Sequence, residues 1–322
     1  MTEEILPTEY PVPDGLPVSP TWNILDSTKL NRWQECPRSY FFEYVLGWRP
    51  DTGSIHLDFG GAFHDALEVL MKTQEPRKGW TPEAVQQAKD AFLSSWRAKV
   101  PEERDLDHKS KNPVRAQIVL EDYAQHYASD THTVEHTEIH GELMLSEKRT
   151  VHYKIDTLCR STESGGMFVL EHKTTGADSK GWRDGWQTSL QVGMYYLSVL
   201  ASTGETPDSV IINGFVLRSK DHLFIRVPIN KSADQLHQFM WQITSLWNEI
   251  AHSHQVLSES SSSDDILYAF PQRTTSCTKW GRTCPFLPYC STWANPLQHL
   301  HKRPLDMHIE HWDPSTHTVE EA

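Results

Sequence analysis

The sequence lacks the features of a membrane or secreted protein. No uninterrupted apolar run approaches the roughly 20 residues of a membrane-spanning helix. The opening residues Met1–Glu4 include two acids where a signal peptide has bases. The five cysteines are few and odd in number, which argues against a disulfide framework. These absences predict a cytoplasmic protein with no membrane partner.

Basic residues are missing from both ends of the chain. Residues 1–20 and 306–322 contain no Lys or Arg and carry −4 and −5 of the formal net charge of −13. The residues between them therefore carry only −4, which leaves room for a local basic groove. Overall charge neither supports nor excludes a nucleic-acid partner.

Three motifs of common enzyme classes are also absent. The sequence has no Gly-x-Ser-x-Gly elbow, no Gly-x-Gly-x-x-Gly fingerprint and no P-loop. Esterase, dinucleotide-dependent and ATP-driven motor activities therefore lack the residues that they need. What the sequence does contain is 38% hydrophobic residues and 12 tryptophans, which suit a substantial folded core.

The periodic segments predict an α-rich first third followed by a mixed region. Predicted helices lie at about 61–72, 82–98, 114–129, 186–201 and 233–252. Predicted strands lie at about 137–146, 149–159, 166–173, 208–217 and 222–229. The predicted division is an extended acidic arm at about 1–20, a core at 21–257 with a helical insertion at 74–130, a Ser-rich linker at 258–266, a Cys-rich segment at 267–295 and an acidic tail at 296–322.

Acidic and basic side chains project together from the end of one predicted strand. After the apolar run Met167–Leu170, Glu171 and Lys173 lie two residues apart and therefore on one face. If the hairpin turn is centred on Ser164–Gly165, Asp156 lies opposite Lys173 and beside Glu171. Neighbouring carboxylates repel unless a cation separates them, and their hard oxygens suit Mg²⁺ or Mn²⁺. A cross-strand salt bridge between Asp156 and Lys173 is the alternative without a metal.

Four further motifs accompany these residues in order along the chain. They are Cys-Pro-Arg-Ser-Tyr-Phe-Phe at 36–42, Gly-Gly-Ala-Phe-His-Asp-Ala-Leu-Glu at 60–68, Ile-Asp at 155–156 and Gln-Val-Gly-Met-Tyr at 191–195. With Glu-His-Lys at 171–173, the ordered set resembles the PD-(D/E)XK nuclease superfamily over residues 27–290. Within it, the set resembles the branch of RecB-type nucleases, CRISPR-associated single-strand exonucleases and phage recombination exonucleases.

The resemblance implies the fold class α/β. A restriction-endonuclease-like core with a central mixed sheet flanked by helices would carry an α-helical N-terminal insertion and a C-terminal Cys-rich segment. A divalent cation, Mg²⁺ or Mn²⁺, would be held by His64, Asp156, Glu171 and the backbone carbonyl of His172. Lys173 would orient or activate water, and Gln191 would position Lys173 or the DNA backbone. Arg38 and Tyr195 are candidate DNA contacts.

Four cysteines form a second candidate metal site: Cys36, Cys277, Cys284 and Cys290. Four thiolates suffice for a [4Fe-4S] cluster or for Zn²⁺, and spacing alone does not decide between them. The resemblance favours the iron-sulfur cluster, because relatives with a Cys-Pro-Arg helix and a C-terminal Cys triplet use it to join the two ends of the nuclease domain. Zn²⁺ is the alternative metal, because six residues separate Cys277 from Cys284, whereas the first two cysteines of the commonest triplet lie close together. Unligated thiols are the alternative without a metal. Cys159, on a predicted strand, is interpreted as a core residue.

Together these expectations describe a metal-dependent DNA exonuclease acting in DNA recombination, repair or phage DNA processing, in a bacterial, archaeal or phage-infected cell. Its expected partners are DNA with free ends and, since it has no motor of its own, a recombinase, helicase or single-strand-binding protein. One alternative is a non-catalytic iron-sulfur module that binds DNA or serves as a scaffold, which would be expected to lose Asp156, Glu171 or Lys173. A PD-(D/E)XK endonuclease is the other.

Overall fold

The structure is a computed structural model that describes residues 5–260, 266–279, 282–293, 295, 299 and 302–317. Helices in these residues are α1 Ser27–Glu35, α2 Pro37–Tyr40, α3 Ile55–Thr73, α4 Pro82–Arg97, α5 Pro113–His126, α6 Lys180–Gly185, α7 Leu190–Thr203, α8 Ala233–Glu259, α9 Ile266–Ala269 and α10 Leu287–Thr292. Strands are β1 Leu25–Asp26, β2 Trp48–Pro50, β3 His132–Ser146, β4 Arg149–Ser161, β5 Met167–Thr175, β6 Ser209–Leu217, β7 His222–Ile229, β8 Thr278–Lys279, β9 Arg282–Thr283 and β10 Met307–Ile309. Within the described ranges, every helix is too short or too polar to cross a bilayer.

The described chain forms two compact units. The first holds the residues up to Thr52, the segment Gly141–Tyr153 and the residues from Ala233 onward. The second holds Gly53–His140 and Lys154–Ser232. Strands β3 and β4 therefore contribute residues to both. The division of the chain into arm, core, linker, Cys-rich segment and tail stays a prediction.

A mixed sheet organises the second unit. Strand β5 is antiparallel to β4 and parallel to β6, and β6 is antiparallel to β7. Strand β3 also pairs with β4, and in the first unit β1 lies parallel to the start of β4. Helices α3, α4 and α5 pack against the sheet through a buried core that includes Phe59, Phe63, Phe92, Trp96, Tyr123 and Phe215. The predicted fold class, α/β with a central mixed sheet flanked by helices, is confirmed.

The helices of this core begin where local chemistry favours a start. Thr81 caps α4 by accepting a hydrogen bond from the Ala84 amide at 3.2 Å, and Asn112 caps α5 by accepting from the Arg115 amide at 2.9 Å. A proline follows each cap at the first helical position, where it costs no hydrogen bond. Helix α3 begins six residues before the predicted start, because buried aromatic contacts outweigh the poor helix propensity of its Gly-Gly pair.

The β4–β5 hairpin has a different register from the predicted one. The ladder pairs Thr157 with Leu170 and Arg160 with Met167, so Asp156 lies level with Glu171 and not with Lys173. The turn explains the difference: the amide of Ser161 donates to the Gly166 carbonyl at 2.9 Å, which moves the centre of the loop one residue towards its start. Since register follows turn length, the predicted pairing of Asp156 with Lys173 was wrong by two residues.

Helix α8 extends seven residues beyond its predicted end at 252. Ser253, His254 and Leu257 continue its buried face, so the apolar stripe does not stop where the sequence becomes polar. The predicted Ser-rich linker at 258–266 therefore begins inside a helix. Its residues 261–265 lie outside the described residues.

Candidate active site

Two carboxylates and a histidine meet where β4 and β5 part. Asp156 is 7% exposed, and its Oδ2 accepts a hydrogen bond from the backbone amide of His172 at 2.9 Å. His64, which α3 carries towards the sheet, lies with Nδ1 at 3.2 Å from the same oxygen. The predicted convergence of the α3 histidine with Asp156 is thus present in the second unit.

Glu171 is fully enclosed by donors. Its side chain is 1% exposed and pairs with the Lys173 ammonium two residues along β5. From α7, Gln191 Nε2 donates to Oε1 at 3.0 Å and the Tyr195 hydroxyl donates to Oε2 at 2.6 Å. Gln191 also donates to the Tyr195 oxygen at 2.6 Å, so the two α7 residues act as one clamp. Gln191 therefore contacts Glu171, and its predicted role in positioning Lys173 or the DNA backbone stays a prediction.

Burial and neighbouring charges separate the proton affinities of the two carboxylates. Burial, reinforced by the Asp156 charge, raises the pKa of Glu171 to about 7. Burial also acts to raise the pKa of Asp156, but His64, with help from His172 and Lys173, holds that pKa below its usual value. Asp156 is therefore ionised at neutral pH, whereas Glu171 titrates close to it.

Neighbouring carboxylates oppose the effect of burial on the pKa values of His64 and Lys173. Burial acts to lower the pKa of His64, but pairing with Asp156 prevails and raises it. Burial likewise opposes charge on Lys173, and Glu171 together with Asp156 raises its pKa. The Lys173 ammonium also lies 5.8 Å from the centre of the Trp186 ring. The lysine therefore remains a cation beside the carboxylates.

The side chain of His172 belongs to a buried polar network. Asn213 Nδ2 lies 3.0 Å from His172 Nδ1 and donates to the Tyr123 hydroxyl at 2.9 Å. Arg226 approaches Asn213 Oδ1 at 3.4 Å, with both its NH groups bonded to Asp130. Burial lowers the pKa of the His172 imidazole to about 3, so the ring is neutral. This network immobilises the residue whose backbone amide holds Asp156.

Glu138 is a member of the site that the sequence analysis missed. One ligand atom each of His64, Glu138 and Asp156 lies within 4.8 Å of the other two. Glu138 belongs to β3, a strand with several acids, and simple alternation did not single it out. Its backbone φ is +52°, a left-handed conformation that interrupts the alternation of side chains along a strand. The only available signal was an acid on the strand preceding Asp156.

Two other sequence-predicted residues have different surroundings from those expected. Arg38, in the first unit, is 4% exposed and its Nε donates to the Phe270 carbonyl at 2.6 Å. Tyr195 is 2% exposed and bonded to Glu171. These contacts hold both side chains inside the protein, and contact of either residue with DNA stays a prediction.

The four candidate cluster cysteines all belong to the first unit. Burial raises the pKa of the Cys284 thiol, and the nearby Cys36 and Cys277 add to the increase. Burial likewise raises the pKa of Cys290, with Cys284 and Cys36 as close neighbours. Backbone contacts support this proximity: the Cys284 amide donates to the Cys277 carbonyl at 2.8 Å. Cys159, in contrast, is a fully buried core residue of the second unit, as predicted.

Comparison with known proteins gives one informative match. The family model of the PD-(D/E)XK nuclease superfamily matches residues 27–291. A search of the curated proteins found no significant match. Among solved structures, the crystal structure of SSO0001 aligns with 59% of this chain and 84% of its own at 12% sequence identity, with a TM-score of 0.26.

Proposed function

Since this chain belongs to the PD-(D/E)XK nuclease superfamily it is a metal-dependent nuclease, and we propose that it is an exonuclease that degrades DNA from free ends. We further propose that it works in DNA recombination, repair or phage DNA processing, together with a separate recombinase, helicase or single-strand-binding protein. The observation that supports phosphodiester hydrolysis is the buried Asp156–Glu171 pair, with Lys173 on one side and His64 on the other. The proposal of an exonuclease rests on the resemblance of the His64 motif and the cysteine set to the exonuclease branch.

The donor set fits a hard divalent cation. Asp156 contributes a carboxylate that is ionised at neutral pH, and His64 contributes an imidazole nitrogen beside it. Glu171 and the His172 carbonyl complete the proposed ligand set. Oxygen ligands suit Mg²⁺, and the added imidazole suits Mn²⁺ at least as well. When bound, such a cation activates water and neutralises charge that develops on the phosphoryl group.

The protein side chains around the proposed cation site have separate roles. Lys173 is held as a cation beside Glu171 and is proposed to orient the attacking water and to bind a phosphate oxygen. Gln191 and Tyr195 keep the Glu171 carboxylate in one orientation. The network behind His172 fixes the backbone that holds Asp156. Pre-set orientation of this kind lowers the entropic cost of reaching the transition state.

The cysteine site of the first unit is proposed to hold a [4Fe-4S] cluster, with Zn²⁺ as the alternative. Its thiols come from Cys36, Cys277, Cys284 and Cys290. Contacts around them tie the two sequence regions together: the Arg273 amide lies 3.4 Å from Cys36 Sγ, and Ser276 donates to the Glu35 carbonyl at 2.6 Å. A cluster at this place would close a loop of more than 200 residues. Its proposed role is to stabilise the protein, outside the catalytic set.

One assay tests the exonuclease proposal directly. The purified protein is incubated with Mg²⁺ or Mn²⁺ and either end-labelled linear oligonucleotides, single- and double-stranded, or a covalently closed circle. We expect loss of the linear DNA and survival of the circle. Nicking of the circle would assign an endonuclease, and no cleavage of any substrate would leave a non-catalytic DNA-binding module.

A matched pair of lysine variants links this activity to the site. Lys173→Met removes the ammonium that pairs with Glu171, whereas Lys180→Met removes one that is 88% exposed on α6. We expect the first variant to lose cleavage and the second to retain it. Equal activity in both variants would contradict the role of Lys173.

A further inference from the structure

Glu138 has a left-handed backbone conformation, which is unusual for a glutamate. Among the non-glycine residues that the structure describes, only Arg77 and Glu138 have positive φ values, +63° and +52°. Residues with a Cβ atom rarely adopt positive φ values, and those that do are concentrated at functional sites. In β3 the unusual φ brings a carboxylate into the neighbourhood of His64 and Asp156.

The spacing of these three groups matches the ligand sphere of one cation. Their ligand atoms all lie within 4.8 Å of one another. Octahedral ligands bound at about 2.1 Å are separated by about 3 Å when adjacent and by about 4.2 Å when opposite. Small rotations of the side chains would therefore bring the three atoms onto a common ion. Two carboxylates and an imidazole are ligands that suit Mn²⁺.

The other contacts of the site distinguish Glu138 from Glu171. The Glu171 carboxylate receives Lys173, Gln191 and Tyr195 and is almost fully buried. Glu138 instead forms an ion pair with Lys154, whose side chain is 48% exposed. An ammonium on a long, half-exposed side chain can move into solvent at little cost. Glu138 is therefore the carboxylate that can exchange its partner for a metal more readily.

We propose that Glu138 is a protein ligand of the divalent cation, together with His64 and Asp156, and that Lys154 balances its charge until the cation binds. The inference rests on the proposed metal-dependent nuclease activity, because it concerns the same centre. It adds a third acidic group to the expected ligand set. It also predicts competition between Lys154 and the metal for Glu138.

Direct binding of Mn²⁺ to the full chain tests the proposal without DNA or turnover. Titration calorimetry measures the Mn²⁺ affinity of the unaltered protein, Glu138→Gln, Lys154→Met and a matched control, Glu135→Gln. Glu135 lies three residues away on β3 and forms an ion pair with Arg160, so its substitution also removes one ion-paired carboxylate from the same strand. We expect Glu138→Gln to bind Mn²⁺ about tenfold or more weakly, Lys154→Met to bind it more tightly and Glu135→Gln to match the unaltered protein.

A second variant separates a ligand from a structural ion pair. Asparagine tolerates positive φ better than other side chains, so Glu138→Asn relieves the backbone while it removes the carboxylate. We expect its metal-free Tm to be at least that of the unaltered protein and its Mn²⁺-induced rise in Tm to be smaller. A lower metal-free Tm with an undiminished Mn²⁺ response would assign a structural ion pair and overturn the inference.

The outcomes distinguish this inference from the proposed function. If the unaltered protein binds no Mn²⁺, the metal-dependent site itself fails. If Asp156→Asn loses Mn²⁺ binding while Glu138→Gln and Glu138→Asn retain full affinity, only the role of Glu138 is refuted.

Discussion

The Tyr195→Phe variant tests whether α7 keeps Glu171 in its ionised form. The Tyr195 hydroxyl donates to Glu171 Oε2 at 2.6 Å, inside a site where the carboxylate is 1% exposed. A hydrogen bond to a charged group contributes about 1.5–3 kcal/mol. Because about 1.36 kcal/mol corresponds to a factor of ten, losing this bond shifts the balance of ionised and protonated Glu171 by about 10- to 150-fold.

The sign of the effect follows from which form the hydroxyl stabilises. Tyr195 donates to the carboxylate, so its removal raises the pKa of Glu171 further above its present value of about 7. If the ionised form is required, activity at neutral pH should fall and alkaline buffer should restore it. In the unaltered protein Glu171 is about half ionised at neutral pH. In Tyr195→Phe the ionised fraction should fall to between about 9% and less than 1%, which predicts an activity loss of about 5- to 75-fold.

Initial cleavage rates of an end-labelled single strand, measured at subsaturating Mg²⁺ from neutral to alkaline pH, check this expectation, because the proton and the cation then compete for Glu171. Tyr196→Phe is the matched control. Its hydroxyl donates to the carbonyl of Ile229 at the end of β7, at 2.9 Å, and the hydrogen bonds to Glu171 come from other residues. The Tyr195 variant should show a profile displaced to higher pH, and the Tyr196 variant an undisplaced one. A uniform loss at every pH, or equal displacement in both variants, would refute the reasoning.

Three further predictions concern the network, the cation and the cysteines. Asn213→Leu removes the hydrogen bonds that Asn213 makes with His172 Nδ1 and the Tyr123 hydroxyl, at a cost of about 1–3 kcal/mol, so Tm should fall and kcat should fall more than KM rises; unchanged kinetics would contradict a positioning role. Excess EDTA should abolish cleavage and Mn²⁺ should restore it at least as well as Mg²⁺, because the His64 imidazole favours Mn²⁺; cleavage that survives chelation would disprove metal dependence. The Cys36→Ala protein, purified without oxygen, should lack the brown colour of an iron-sulfur cluster. Its free energy of unfolding should be lower by several kcal/mol, since closing a 100-residue loop contributes about 4.7 kcal/mol. Cys159→Ala should keep the colour. Colourless protein with stoichiometric zinc would assign a zinc site instead.

Local chemistry was enough to identify the main acids and bases. Glu171 and Lys173 lie on one face because a strand alternates with a period of two, whatever its surroundings. Cys159 falls in the core because an unligated cysteine on a strand behaves as a small apolar residue. The motif order then predicted the superfamily, and the match over residues 27–291 confirms it. These features depend on near neighbours in sequence, so the sequence can reveal them.

The contacts of the site depended on the tertiary structure. The register of β4 and β5 is set by hydrogen bonds in the turn, and a shift of two residues placed Asp156 level with Glu171 instead of Lys173. The partner of Gln191 is decided by how α7 packs on the sheet, which no spacing along the chain reports.

Glu138 shows the limit most clearly. Its φ of +52° is sustained by the surrounding structure, because glutamate itself, unlike glycine or asparagine, does not favour it. The sequence by itself determined which chemical groups the second unit has available for a cation. Only the tertiary structure decided which of the many acids come within 4.8 Å of His64, because that distance joins α3 to β3 and β4, two strands that lie far from α3 along the chain.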